Sequence, residues 1–262
     1  MKALAGLCAL ALAAGCATAP QDDLLGSSAV VAALERERAP VVEIARFSQK
    51  RASEPLPERW KTYVVVPWKP RTQYALVESE GQVALEARSE RAASGLYRYV
   101  RVRPQTHPTL EWRWRVPRLI EGADPRLAAR EDSPVRVVVS FHGDAAKLGE
   151  GDRAKMRMAK ALSGRAMPYA TLMYIWSNDL PVGTVVHNPH IGRVRMIVAE
   201  SGTAKLGRWV KVRRNVYEDF RKAFGENPWD VVAVGVMTDS DNTGSSTLAQ
   251  YGDISFLEAG RP

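Results

Sequence analysis

Short runs in which apolar and polar residues alternate dominate this sequence. In Leu110-Glu111-Trp112-Arg113-Trp114-Arg115-Val116 every second residue is apolar and those between are charged. A β-strand points successive side chains to opposite faces. This run therefore sets Leu110, Trp112, Trp114 and Val116 on one side of a sheet and Glu111, Arg113 and Arg115 on the other. Val135, Val137, Val139 and Phe141 alternate in the same way with Arg136, Val138, Ser140 and His142. Asp230–Met237 is apolar on both faces, which predicts a central strand.

Twelve such segments follow one another after Pro40: 41–47, 62–66, 73–78, 83–88, 95–103, 109–116, 135–141, 170–176, 193–200, 209–213, 230–237 and 251–257. Gly, Pro, Asn and Asp clusters separate them, the rhythm of an all-β sandwich or barrel. Two helical insertions are expected. Gly151–Leu162 is basic and carries Met156, Met158 and Leu162. Asn215–Phe224 has a capping Asn215, Glu218 at the capping-box position, an apolar stripe of Val216, Phe220 and Phe224, and a terminating Gly225. One domain over residues 41–258 is long enough to bury a substantial core.

The first forty residues differ in character. Lys2 precedes an apolar run from Ala3 to Ala14 that is too short for a membrane span, the layout of a secretory signal. Leu12-Ala13-Ala14-Gly15-Cys16 resembles a bacterial lipobox, which implies cleavage after residue 15, lipidation at Cys16 and membrane attachment through the lipid alone. An ordinary signal peptide with an incidental cysteine is the alternative. Ala17 after the cysteine implies, by the same resemblance, the outer membrane, with the protein facing the periplasm. Residues 16–40 read as the lipidated N-terminus and a tether.

The only cysteines are Cys8 and Cys16, so a disulfide framework, a cysteine zinc site and a cysteine nucleophile are excluded from the domain. The formal net charge is +8, and loss of Lys2 with the signal leaves +7. Such a surface suits an anionic envelope partner, or serves only solubility. No nucleic-acid-binding motif accompanies the charge, so nucleic acid is not an expected partner.

Three groups of residues are candidates for chemistry. Thr238-Asp239-Ser240-Asp241-Asn242-Thr243-Gly244 copies the first half of a calcium loop, making Asp239, Asp241 and Asn242, with Asp253 nearby, candidate Ca2+ ligands. The twelfth position is Gln250 rather than Glu, and an Asx-rich turn that bonds its own backbone is the competing reading. Tyr97, Tyr99, Arg101 and Arg103 form a row with Glu111, Arg113 and Arg115 on the next strand and Arg136 on a later one. Flat rings stack on sugars, and guanidinium forks grip carboxylate or phosphate. A solvated sheet face covered by cross-strand pairs looks the same. Asp132, Trp176, Asn178 and Tyr251 complete the candidate rim. Hydrolysis would need two positioned acids, and Glu111, Asp132, Glu200, Asp239 and Asp241 show no spacing that singles out a pair. His142 ends a strand, and His187 and His190 flank Pro189 without zinc-site spacing.

The order of segments over residues 41–258 resembles the bacterial domain-of-unknown-function family numbered 3047. The resemblance is carried by Arg91–Leu96, Leu110–Trp114, Glu131–Val137, Tyr174–Asn178, Gly207–Trp209, Asn215–Asp219, Thr238–Thr243 and Tyr251–Ile254. The C-terminal part is also similar to galactose-binding-type jelly rolls, through Gly207–Val212, Asn215–Gly225, Asp230–Met237 and Gly252–Phe256. Together these resemblances imply a single jelly-roll-like β-sandwich of about twelve antiparallel strands. The expected function is non-catalytic binding of a glycan or other anionic envelope component. A hydrolase acting on envelope polysaccharide and a structural lipoprotein docking another envelope protein are the alternatives.

Overall fold

The computed structural model describes residues 41–163 and 166–260. The expected signal peptide, Cys16 and the tether lie outside the described residues. Thirteen strands occur among those described: β1 (Val41–Ala45), β2 (Lys61–Val64), β3 (Gln73–Ser79), β4 (Gln82–Glu90), β5 (Ala93–Val102), β6 (Thr109–Arg115), β7 (Ser133–Phe141), β8 (Ala170–Ser177), β9 (Val185–His187), β10 (Val194–Ser201), β11 (Trp209–Asn215), β12 (Val231–Asp239) and β13 (Ser246–Leu257). Two helices, α1 (Glu150–Ser163) and α2 (Val216–Phe224), interrupt them. The expected segments all recur as strands, and the short β9 is added to them.

The first sheet runs β11-β6-β13-β4-β3, with β1 also paired to β13, and the second runs β2-β5-β12-β7-β8-β10-β9. The chain crosses between sheets at almost every step from β4 to β7, and again at β11, β12 and β13. This alternation builds a jelly-roll-like sandwich. The pairing is antiparallel except for β8 and β10, which lie parallel. The chain between them returns through β9 on the outer edge, a connection that strand spacing alone does not specify.

The alternation noted in the sequence fixes the core. Trp112 and Trp114 of β6 turn inward from the first sheet to meet Tyr174 and Trp176 of β8 from the second, with ring centroids 5.0 and 6.3 Å apart. All four rings are buried. Fully burying side chains of this size contributes on the order of 1.5–3 kcal/mol each. Phe141 packs on Phe220 of α2 at 4.5 Å, which seats that helix against the sandwich. Asn215 caps α2 by accepting from the Glu218 backbone N–H, and Gly225 ends it in a left-handed turn, φ 73°. α1 packs Met156 against the core and leaves Met158 exposed.

Candidate functional site

The sandwich separates the expected aromatic and arginine row into two. Tyr97, Tyr99 and Arg101 lie on β5 in the second sheet, whereas Glu111, Arg113 and Arg115 lie on β6 in the first. Consecutive strands here belong to opposite sheets, so their polar faces look away from each other. The β6 face is laced by pairs of its own. Glu111 meets Lys211 and Arg213, Arg115 meets Glu80, and Arg113 stacks on Trp209 with 4.8 Å to the ring centroid. These are the cross-strand contacts of a solvated sheet face.

Arg136, expected in the same row, is instead buried at 2% exposure. Its Nε and Nη2 donate to both carboxylate oxygens of Asp239, each at 2.9 Å. Nη1 donates to the Glu131 carboxylate (2.7 Å) and Nη2 to the Glu131 carbonyl (2.6 Å). Asp132 accepts from the backbone N–H of Asn242 and Thr243 and from the Thr243 hydroxyl. Asp241 pairs with Lys69. The Tyr251 hydroxyl donates to the Met237 carbonyl (2.7 Å) and accepts from the Arg136 backbone N–H (3.2 Å). Tyr251 and Trp176 are thus core residues, with the Trp176 indole N–H donating to the Gly202 carbonyl. Asn178 donates to the Ile120 carbonyl, which ties two loops together.

Burial pushes the Asp239 carboxyl up to about 7; Arg136 opposes this, while Glu131 and Asp132 add to it. Burial alone would lower the Arg136 guanidinium, but Asp239 and Glu131 outweigh it and hold it above its ordinary value.

Carboxylate oxygens of Asp132, Asp239 and Asp241 lie within 4.8 Å of one another, closer than the sequence required. They nevertheless make a poor calcium site. Asp132 and Asp239 have both oxygens committed to N–H or O–H donors, and Asp241 holds the Lys69 ammonium, so a cation would have to displace existing partners. Asp253 stands outside the cluster, accepting from the backbone N–H and hydroxyl of Ser48. Asn242 contributes its backbone N–H to Asp132. The turn therefore functions as a clasp between β7 and β12, and the buried acids do not form the pair facing a cleft that glycoside hydrolysis uses.

Two clefts open on the side of the molecule that carries β5. The larger, about 810 Å³, runs between β1 of the first sheet and β5 of the second, beside the edge strand β2. Its lining includes Arg46, Lys50, Arg59, Lys61, Arg98 and Arg101, with Glu43 as its one acid. Half-buried Tyr99 supplies aromatic surface beneath the Lys61 ammonium at 5.3 Å, while buried Trp60 packs on Phe47 at 5.6 Å and backs the cleft. A second, shallower cleft of about 460 Å³ adjoins it, sharing Arg101, and holds Gln105, His142, Asn227, Trp229 and Asp230. Both volumes fall in the usual range of ligand sites. A third, apolar hollow between Tyr97 and Met173 on the outer face of the second sheet offers only about 100 Å³.

Of the sequence candidates, the clefts thus bring together Tyr99 and Arg101, with Tyr97 alongside through an edge-to-face contact at 5.4 Å. Sequence reasoning missed Arg46, Lys50, Arg59, Lys61 and Trp229. The Arg59-Trp60-Lys61 triplet, basic on either side of an aromatic ring, was the signal available.

A two-sheet sandwich with a cationic cleft at its edge names neither a ligand nor an activity. The chain belongs to the family described as "Protein of unknown function (DUF3047)", whose model matches residues 58–255. No curated protein matches the chain. Among solved structures it is similar to a family 11 carbohydrate-binding module of a Clostridium thermocellum cellulosomal cellulase, at 7% identity and a TM-score of 0.39, covering 82% of this chain and 96% of that one. It is also similar to the xyloglucanase domain of a Sinorhizobium fredii type three effector, in complex with cellobiose (9% identity, TM-score 0.41, 82% and 100% covered). A family 30 carbohydrate-binding module from Clostridium thermocellum gives 10% identity and a TM-score of 0.33 over 86% of this chain and 96% of that one. Likeness at such identities and TM-scores assigns neither a ligand nor a functional residue to this chain.

Proposed function

We propose that this protein is a non-catalytic binding module for an anionic glycan of the bacterial envelope, exported by its N-terminal signal and anchored through a lipid on Cys16. The observation that carries the reading is the 810 Å³ cleft, where six cations lie about half-buried Tyr99; Arg46 meets Glu43 and Arg101 meets Asp230, and the lining as a whole keeps a cationic excess. Arginine forks suit carboxylate or phosphate groups, and aromatic rings suit the apolar faces of sugars. The lipobox and the basic balance of the chain support an envelope location.

The test is an affinity measurement on the full chain, with polygalacturonate as the acidic probe and dextran as the neutral one. Binding to the acidic polymer is expected to weaken by at least about tenfold on combining Lys50→Glu with Arg59→Glu, since reversing exposed cations both removes attraction and adds repulsion. Arg113→Ala, on the opposite sheet, is expected to leave it unchanged. Equal retention of dextran and polygalacturonate, or loss of binding with Arg113→Ala alone, overturns the reading. Export is tested separately: labelled palmitate incorporated into wild-type protein and not into Cys16→Ser supports the anchor, and equal labelling rejects it.

A further inference from the structure

The cleft beside the cationic one differs from it in chemistry. Its charged residues are Arg101 and Asp230, and these form an ion pair with each other at 2.7 Å, so the charge at this spot is internally balanced. Its dominant apolar element is Trp229, which is 49% exposed although it lies two residues before the buried strand β12. Exposure alone does not set it apart, since Trp68 is 72% exposed; what does is that the Trp229 ring lines a cleft of ligand size beside anchored polar groups. His142 backs the indole at 5.3 Å between ring centroids, tilted by 40°, and fixes the ring from one side. Gln105 is anchored by its amide nitrogen to the Pro228 carbonyl at 2.9 Å, and Asn227 by its amide oxygen to the Tyr217 hydroxyl at 3.2 Å. The cleft therefore offers one held aromatic plate rimmed by amides and a compensated ion pair. That inventory fits a polyhydroxylated ring without charge, whose C–H face covers the indole and whose hydroxyls meet the amides and Asp230.

The geometry points to a neutral-sugar subsite at Trp229 that continues the cationic cleft through Arg101. The ligand is then a heteropolysaccharide in which an uncharged pyranose neighbours an acidic residue. This inference rests on the reading of the cationic cleft as an anionic-glycan site. It adds that the protein selects among acidic polymers by the uncharged unit.

Two acidic polymers separate the possibilities. Hyaluronate alternates charged and uncharged rings, whereas polygalacturonate is charged at every ring. Wild-type full-length protein is expected to bind hyaluronate about tenfold more tightly than polygalacturonate, the size of effect a well-placed aromatic contact supplies. Trp229→Ala is expected to erase that preference by weakening hyaluronate while leaving polygalacturonate within about twofold, and Trp229→Phe to restore part of it. A thermal melt of each variant reports whether the fold is intact, and the ratio between the two polymers is insensitive to a uniform loss of folded protein. Preference unchanged in Trp229→Ala, or equal weakening for both polymers, overturns the subsite and leaves the cationic cleft standing. Binding of neither polymer by wild-type protein overturns both.

Discussion

Arg136 illustrates how little a residue's type says about its task. An arginine on an alternating strand suggested a surface contact; here it is sealed between β7 and β12, with Asp239 gripping its fork and Glu131 the remaining nitrogens. Removing one member of such a buried group leaves its partners charged and unsolvated, which typically costs about 3–5 kcal/mol. The titration of Asp239 follows from the same crowding. Glu131 and Asp132 face it from the segment entering β7, Asp241 and its partner Lys69 from the neighbouring loops, and Tyr74 and Tyr251 from the first sheet. The folded carboxyl, at about 7, lies above its ordinary value of 3.8. Its contribution to stability is therefore complete below roughly pH 4 and is lost as pH rises through about 7, because the folded state then gives up a proton it holds more tightly than the unfolded chain does. Urea unfolding across that interval is expected to show stability falling with pH in the wild type and a shallower fall in Asp239→Asn. An identical slope in the variant would assign the titration to another group.

Among the elements, the contact of β5 with β12 is the most tightly constrained. Gly235 and Gly95 lie on adjacent strands of the second sheet, and a β-carbon on Gly235 would come within 2.6 Å of the Leu96 carbonyl and 3.1 Å of the Tyr97 β-carbon. The obstacle is backbone, which cannot swing aside. Gly235→Ala is expected to destabilise the protein by about 1–3 kcal/mol, the usual cost of overpacking, whereas Gly149→Ala, with open space around it, should leave the melting temperature unchanged. Comparable losses in the two variants would show that the close approach is not what holds these strands. Element by element, the strands were legible because most alternate in their own residues and β12 reads as a short run apolar on both faces, and α2 because its cap, stripe and terminal glycine are contiguous. β9 escaped, having only three residues, and so did the parallel pairing of β8 with β10, because neither direction nor neighbour is written into an alternating run.

At the scale of the whole molecule, the proposed binding joins a dispersed positive balance to one edge of the sandwich. A cation cluster acting on a polymer of opposite charge is screened by salt, while an aromatic contact is not. Raising sodium chloride from about 0.1 M to about 1 M shortens the screening length from roughly 10 Å to roughly 3 Å. Retention of polygalacturonate is expected to fall steeply over that range, measured by affinity electrophoresis or calorimetry. Salt-independent retention would locate binding away from the cationic cleft.

The twelve longer strand segments and the inward tryptophans of β6 were determined by the sequence alone, since side-chain direction in a strand depends only on parity. The capping of α2 and the cysteine-free domain were likewise local facts. Which polar residues share a surface was decided by the tertiary structure. Successive strands cross between sheets, so Tyr99 and Arg113, fourteen positions apart, face away from each other, while Arg59, Tyr99 and Trp229 converge on adjoining clefts from distant parts of the chain. Arg136 and Asp239 meet because β7 and β12 are neighbours in the second sheet, and burial at their junction turned an expected contact surface into an internal clasp.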